Sequence, residues 1–275
     1  MTTGHFRSLF DLTDRAAVVT GACGILGRRL SAALADFGAK VAVVDLDSAA
    51  VEELSGEIAE TYGAATLGVV CDVSDPISVE ALMERVEREL GPVRIVSNNA
   101  ATKTDDLAAF LTPPEDYVLE TWRKVNAVNL DGAFLVAQAA GRRMIAHGRG
   151  GSIIQTASIY GILGPDNRIY DDSLYMGRPI STPPVYAASK GGIVSLTHYF
   201  ATVWAPHNIR VNTLTPGGIV SGQNAEFMER YGRRVPLGRM AQSDEMTGAL
   251  IFLASDAASY VTGQNMVVDG GLSAW

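Results

Sequence analysis

Ala16-Ala-Val-Val-Thr-Gly-Ala-Cys-Gly-Ile-Leu-Gly27 reads as a short apolar strand that runs into a glycine-rich turn and then into a helix. Residues 16–20 are apolar up to Thr20, the pattern of a buried strand. From Ile25 to Phe37 the apolar residues recur at helical spacing until Gly38 ends the run. Strand, turn and helix form the first unit of an alternating chain.

Working outward, residues 40–45 form a second strand, Ser48 caps a helix to about residue 62, and 65–71 form a third strand. Asp75-Pro76 supplies an N-cap and a first-turn proline for a charged helix that ends near Gly91. Further strands are expected over 93–97, 152–156, 209–214 and 266–268, with a long helix over 117–146 and other helices between the later strands. Strands that alternate with helices predict an α/β fold: one doubly wound parallel sheet with right-handed crossovers, helices on both faces, and ligands at the carboxyl ends of the strands. A length of 275 residues without repeat, low-complexity tract or linker suits one domain over 1–275. Residues 161–184, rich in Pro, Gly, Asp, Tyr and Arg, show neither period and are expected to form a long loop.

Composition narrows the function. Apolar residues make up 47% and charged residues 19%, enough material for a buried sheet and unlike a disordered chain. A net charge of -8 without a block of Lys and Arg excludes a nucleic-acid partner. No apolar run is long enough for a membrane span, and Met1-Thr-Thr-Gly-His-Phe-Arg lacks a signal-peptide pattern, so the expectation is a cytoplasmic protein with no membrane partner. Cys23 and Cys71 cannot make a disulfide framework, and no Cys/His cluster has zinc spacing, so no metal site is expected.

Gly21, Gly24 and Gly27 stand where a tight turn lets the backbone approach a pyrophosphate at a helix N-terminus, with Cys23, Ile25 and Leu26 completing the turn. A glycine pattern alone also describes an ordinary turn. Asp45 ends the second strand roughly twenty residues later, where an acid binds ribose hydroxyls. Its carboxylate would repel the extra phosphate of NADP, and Leu46-Asp47 brings no arginine, so NAD is the expected cofactor; a solvated loop acid is the other reading. Asp72 and Val73 after the third strand, and Asn99, Ala100 and Ala101 after the fourth, occupy the neighbouring strand ends. Tyr186 and Lys190 are spaced to share one helix face, where the cation would lower the pKa of the phenol and make it a proton donor or acceptor near neutrality.

As an ordered set these motifs resemble the short-chain dehydrogenase/reductase family over nearly the whole chain, from Thr20-Gly through Asn98 to Ala101, Asn129, Ser158, Tyr186 with Lys190, and Pro216 to Ser221, to Val268-Asp-Gly-Gly271. The resemblance implies a single-domain Rossmann-type oxidoreductase moving hydride between NAD(H) and a hydroxyl or carbonyl carbon. It implies a catalytic tetrad of Asn129, Ser158, Tyr186 and Lys190, with Tyr186 exchanging the proton, Ser158 orienting the oxygen, Lys190 holding the nicotinamide ribose and Asn129 placing a relay water. It also implies that Pro216, Gly217, Gly218, Ile219 and Ser221 meet the nicotinamide, and that the chain forms a homo-oligomer, commonly a tetramer.

Two departures stand out. The glycine spacing is Gly-x-x-Gly-x-x-Gly, where the single-domain branch usually has three residues and then one between its glycines. The interval from Ser158 to Tyr186 is longer than usual and carries the 161–184 segment. Tyr160, Arg168, Tyr175 and Arg178 are therefore the substrate candidates, suited to a polar, anionic or sugar-like small molecule. The two arginines could instead pair with Asp166, Asp171 or Asp172, and the segment could be a surface loop. The combination looks similar to oxidoreductases of flagellin-modification and nonulosonic-sugar pathways. The competing readings are a 3-ketoacyl-thioester reductase, a reaction that commonly draws on NADPH, and a non-catalytic nicotinamide-binding sensor or scaffold.

Overall fold

Ala16–Thr20 (β1), Lys40–Asp45 (β2), Thr66–Val70 (β3), Val93–Asn98 (β4), Gly151–Thr156 (β5), Ile209–Pro216 (β6) and Asn265–Val268 (β7) pair in parallel, in the order β3-β2-β1-β4-β5-β6-β7. They are seen in a computed structural model that describes residues 5–175 and 177–275, with the backbone alone at Arg178. Alternation along each strand sends successive side chains to opposite faces. Val19, Val41 and Val43 meet Leu30 and Leu34 of α1 (Ile25–Asp36), Val51 and Leu54 of α2 (Ser48–Tyr62), and later Leu250 and Ile251. Val18, Val44 and Val96 face the other way, onto Leu82 and Met83 of α3 (Pro76–Glu89) and onto Val136 and Phe200. A sheet covered on both sides needs strands apolar on both faces, which is why its strands read as apolar runs.

The N-cap of α3 lies where the sequence puts it, whereas α2 is capped not by Ser48 but by Asp47, whose carboxylate accepts from the Ala50 N–H at 3.1 Å. Asp75 accepts from the N–H groups of Ile77 and Ser78 with Pro76 in the first turn, and Gly63 ends α2 at φ 65°. Each connection returns the chain to the same edge, so the carboxyl ends of the strands are level: Thr20 lies beside Val44 on one side and Asn98 on the other. From β1 the order builds outward through β2 to β3, then resumes on the opposite side at β4. A crevice therefore opens between the ends of β1 and β4.

Two expectations need correction. The helix expected over 117–146 is α4 (Leu119–Asn126) and α5 (Ala133–His147) joined by a π-helical turn, Ala127–Gly132, that contains Asn129. The expected loop over 161–184 is built structure: a 3-10 turn, Asn167–Ile169, and an antiparallel hairpin pairing Leu174–Tyr175 with Arg178–Pro179. Its anchors lie on or just before α7 (Ala225–Gly232): Ile169 is buried with Phe227 and Tyr231, and Tyr170 stacks on Phe227 at 5.9 Å. Leu174 and Asn224 exchange two hydrogen bonds, N–H to Oδ1 at 3.1 Å and Asn224 N–H to the Leu174 carbonyl at 3.2 Å. Anchors that lie one by one on a distant helix leave no period in the sequence.

Candidate active site

The glycine turn is closed by backbone contacts. Gly21 sits at φ +61°, and a Cβ there would lie 2.8 Å from Cα of Ala100; at Gly27 it would lie 2.1 Å from the carbonyl oxygen of Gly21. Gly24 caps α1 and is the less crowded of the three, its added Cβ 3.3 Å from the same oxygen. The outer pair thus supplies the close packing, which explains how the middle glycine can be displaced relative to the usual spacing. Thr20 Oγ1 accepts from the N–H groups of Asn99 and Ala100 at 3.0 and 3.1 Å, and Asn99 Nδ2 donates to the Gly21 carbonyl at 3.2 Å. Asp45 accepts from the N–H groups of Cys23 at 2.9 Å and Leu46 at 2.8 Å. The turn, the end of β2 and the end of β4 therefore form one connected ledge.

Burial, then the charge of Asp45, pushes the Cys23 thiol up to about 11, so it is a neutral side chain of the turn and no nucleophile. Ile25 is exposed at the start of α1. Asp72 accepts from Ser74 in its own turn, and buried Val73 packs against Gly132; neither reaches the cleft described below.

Tyr186 and Lys190 lie in the opening turns of α6 (Pro184–Trp204), with Pro184 at its start. Ser158 follows β5 and its Oγ accepts from the Tyr160 N–H at 3.3 Å, leaving the hydroxyl proton free to donate. Lys190, 3% exposed, donates to the Thr156 carbonyl at 2.8 Å, and its Nζ is 6.0 Å from the centre of the Tyr186 ring. Burial brings the Lys190 ammonium down to about 8. The expected depression of the Tyr186 pKa by Lys190 is not found: burial raises the phenol, and only a hydrogen bond with Ser158 opposes it. The ammonium is drawn to the Thr156 carbonyl, and burial of the phenol outweighs it. In the π turn, Asn129 Oδ1 accepts from the Thr102 N–H at 2.8 Å, while its buried Nδ2 has no partner among the described residues.

These groups border a cleft of about 330 Å³. Ser158, Tyr186 and Lys190 line it beside Leu26, Asn99 and Ala101. Across from them come Pro216, Gly217, Gly218, Ile219 and Ser221, with Tyr231 Oη accepting from the Gly218 N–H at 2.6 Å. The 161–184 segment gives a wall through Tyr170, Tyr175 and Ile180, so it is more than a surface loop. Of the substrate candidates, Tyr160 and Tyr175 reach the cleft. Arg168 does not: its side chain is 89% exposed and its guanidinium is forked onto Asp166 through two bonds of 2.8 Å. The side chain of Arg178 lies outside the described residues. Tyr170, a polar aromatic of the inserted segment, lines the cleft as well, and sequence reasoning missed Lys103 and Gln223, which also line it. Lys103 stands two residues beyond Ala101, and that nearness to the end of β4 was the one available signal.

Residues 21–273 match the sequence model of a family described as enoyl-(acyl carrier protein) reductase. A D-threitol dehydrogenase of Mycolicibacterium smegmatis is 34% identical over 95% of this chain and 94% of its own. An NAD-dependent glycerol dehydrogenase of Listeria innocua is 33% identical over 98% of both. The chain belongs to the short-chain dehydrogenase/reductase family. Its fold superposes on the crystal structure of a gluconate 5-dehydrogenase from Burkholderia cenocepacia in complex with NADP and tartrate, at a TM-score of 0.86 and 33% identity over 98% of this chain and 100% of that one. The names of these relatives speak of polyols and a sugar acid; none speaks of flagellin modification.

The residues of this short-chain dehydrogenase/reductase chain fit a dinucleotide. Gly21 and Gly27 leave room only for backbone, Asp45 keeps lone pairs beyond the two N–H groups it accepts, and Lys190 spends one of its three donors on Thr156. The buried Asn129 Nδ2 is a further donor awaiting an acceptor.

Proposed function

We propose that this chain is an NAD-dependent dehydrogenase that interconverts a hydroxyl and a carbonyl on a small polyol or sugar-derived substrate. The observation that carries the reading is one cleft, at the point where the strand order reverses, lined together by Ser158, Tyr186 and Lys190. When bound, the dinucleotide supplies the hydride acceptor or donor. Tyr186 Oη takes the alcohol proton during oxidation and returns one to the oxygen during reduction. Ser158 Oγ donates to that same oxygen and holds it at Tyr186. Lys190 keeps two donors beyond Thr156, and one of them donates to the ribose. Asn129 Nδ2 donates to a water that carries the proton outward.

Asp45 supports NAD over NADP: a carboxylate at the ribose accepts from two hydroxyls and repels a phosphate. The relatives named for threitol, glycerol and gluconate support a hydroxylated substrate. The experiment is NAD or NADP reduction by purified protein across polyols, sugars and hydroxyacyl thioesters, with Tyr186→Phe as control. NAD-linked oxidation of a polyol or sugar is expected, with kcat reduced about a thousandfold in the variant and dinucleotide binding kept. NADP-linked turnover of a thioester would replace this reading with the ketoacyl reductase. Dinucleotide binding without chemistry in either protein would favour a sensor.

The same reading takes residues 1–275 as one domain and the chain as a homotetramer. Exposed Leu119, Phe134, Tyr199 and Val203 on α4, α5 and α6, with Leu237 and Trp275 nearer the C-terminus, support assembly. Light scattering at a monomer mass would overturn it. The two unbridged thiols, Cys23 and Cys71, suit a reducing compartment, the cytoplasm.

A further inference from the structure

Of the chain's four lysines, Lys40 and Lys124 pair with Asp14 and Glu120 at 3.1 and 2.7 Å. The other two, Lys103 and Lys190, line the cleft, and no aspartate or glutamate lines it with them among the described residues. In a chain of net charge -8, the cleft's charged lining is thus entirely cationic. Lys190 is committed to the Thr156 carbonyl and to the chemistry above. Lys103 is not committed in that way. Its Nζ lies 2.5 Å from Tyr175 Oη and 4.1 Å from the centre of the Tyr175 ring, so a side chain of the hairpin holds it at the cleft mouth.

An ammonium has three donors, and Lys103 spends one on the phenol; the phenol accepts that bond and keeps its own proton to give. Two donors side by side, one of them charged, match a carboxylate. The other polar groups of the wall are taken up by the protein itself. Ser181 Oγ donates to the Leu111 carbonyl at 3.1 Å, Gln223 Nε2 donates to the Ile219 carbonyl and to Ser221 Oγ, and Tyr170 bonds Tyr160 and Thr182.

We propose that Lys103 and Tyr175 form a carboxylate subsite and that the substrate is a hydroxy acid, its reacting carbon at Tyr186 and its anionic end at Lys103. This rests on the dehydrogenase reading above and narrows it from polyols and sugars at large to their acids. The cationic cleft also draws such an anion toward a protein that repels it elsewhere.

The test measures NAD-linked kcat/KM for two pairs that differ in the carboxylate: gluconate against glucitol, and 3-hydroxybutyrate against butan-2-ol. In the pair that turns over, the acid is expected to be preferred. Lys103→Met should cut the acid-to-neutral ratio about tenfold, mainly through KM, and Lys103→Arg should retain most of it. The pair that reacts separates a sugar acid from a plain hydroxy acid. A preferred neutral alcohol, or a ratio unchanged in Lys103→Met, overturns the subsite and leaves the dehydrogenase standing. If no pair turns over, calorimetry with tartrate decides the subsite independently. Binding to the wild type and to Tyr186→Phe, weakened about tenfold in Lys103→Met, supports it, and equal or absent binding overturns it.

Discussion

At Gly27 an added Cβ would lie 2.1 Å from the Gly21 carbonyl oxygen, whereas at Gly164, in the inserted segment, it would meet nothing within 4 Å. Gly161, at the start of that segment, is still crowded, its added Cβ 2.7 Å from the Lys190 carbonyl carbon; beyond it the two regions differ as Gly27 and Gly164 do. The ledge of Gly21, Asp45 and Asn99 is built close around the main chain: the short side chains of Thr20 and Asp45 each gather two N–H groups, and the glycines remove the side chains that would hold the strands and turn apart. The wall from 161 to 184 is fixed mainly by side chains reaching to a distant helix, through Ile169, Tyr170 and Asn224. Backbone packing tolerates almost no change at a few positions. Side-chain packing spreads its tolerance over many, which suits the wall of a cleft.

The largest expected effect comes from making the same change in both regions. Gly27→Ala should destabilise the protein by about 3 kcal/mol, because backbone oxygens must move to admit the methyl group. Gly164→Ala should stay within about 0.5 kcal/mol of the wild type. Denaturant unfolding of the two variants checks this directly. Similar losses in both would erase the distinction between a main-chain ledge and a side-chain wall.

That distinction also explains what could be read from the sequence. The strands showed because a sheet covered on both faces requires apolar runs, and Gly21, Gly27 and Asp45 showed because the turn has few chemical solutions. Tyr186 and Lys190 showed through helical spacing, but their electrostatics did not: burial decides both pKa directions, opposed at Tyr186 only by Ser158, and neither is a local feature. The π turn at Asn129 was hidden because it preserves the apolar helical pattern around it. Arg168 had two readings, and the pairing with its adjacent acid Asp166 is the one found, which keeps the guanidinium out of the cleft. Lys103 was invisible for the opposite reason: its partner, Tyr175, lies far along the chain.

A smaller effect probes the ledge from its ligand side. Asp45→Ser retains a short acceptor near Cys23 and Leu46 but removes the charge proposed to meet the ribose. The ratio of kcat/KM for NAD over NADP should fall about thirtyfold, close to 2 kcal/mol at a partly screened site. A ratio that does not move would make Asp45 a brace of the turn alone, and the ledge would then be a structural feature with no part in choosing the cofactor.

The smallest effect tests the wall. Tyr170 stacks on Phe227, and its hydroxyl bonds Tyr160 Oη at 3.0 Å and Thr182 Oγ1 at 2.5 Å. Burial raises the pKa of both phenols, so they remain neutral hydrogen-bonding groups at any pH at which the enzyme would work. Tyr170→Phe keeps the ring against Phe227 and removes the hydroxyl alone. A loss of about 1 kcal/mol is expected, the net worth of a neutral hydrogen bond, with KM raised a few-fold because Thr182 and Tyr160 both line the cleft. Thermal unfolding and substrate titration measure the two effects separately. If stability falls while KM holds, the hydroxyl network braces the hairpin without shaping the substrate. If KM rises with stability unchanged, ring stacking carries the anchoring and the hydroxyls belong to recognition. Either split would sharpen how a segment without sequence periodicity divides its residues between holding itself in place and facing the substrate.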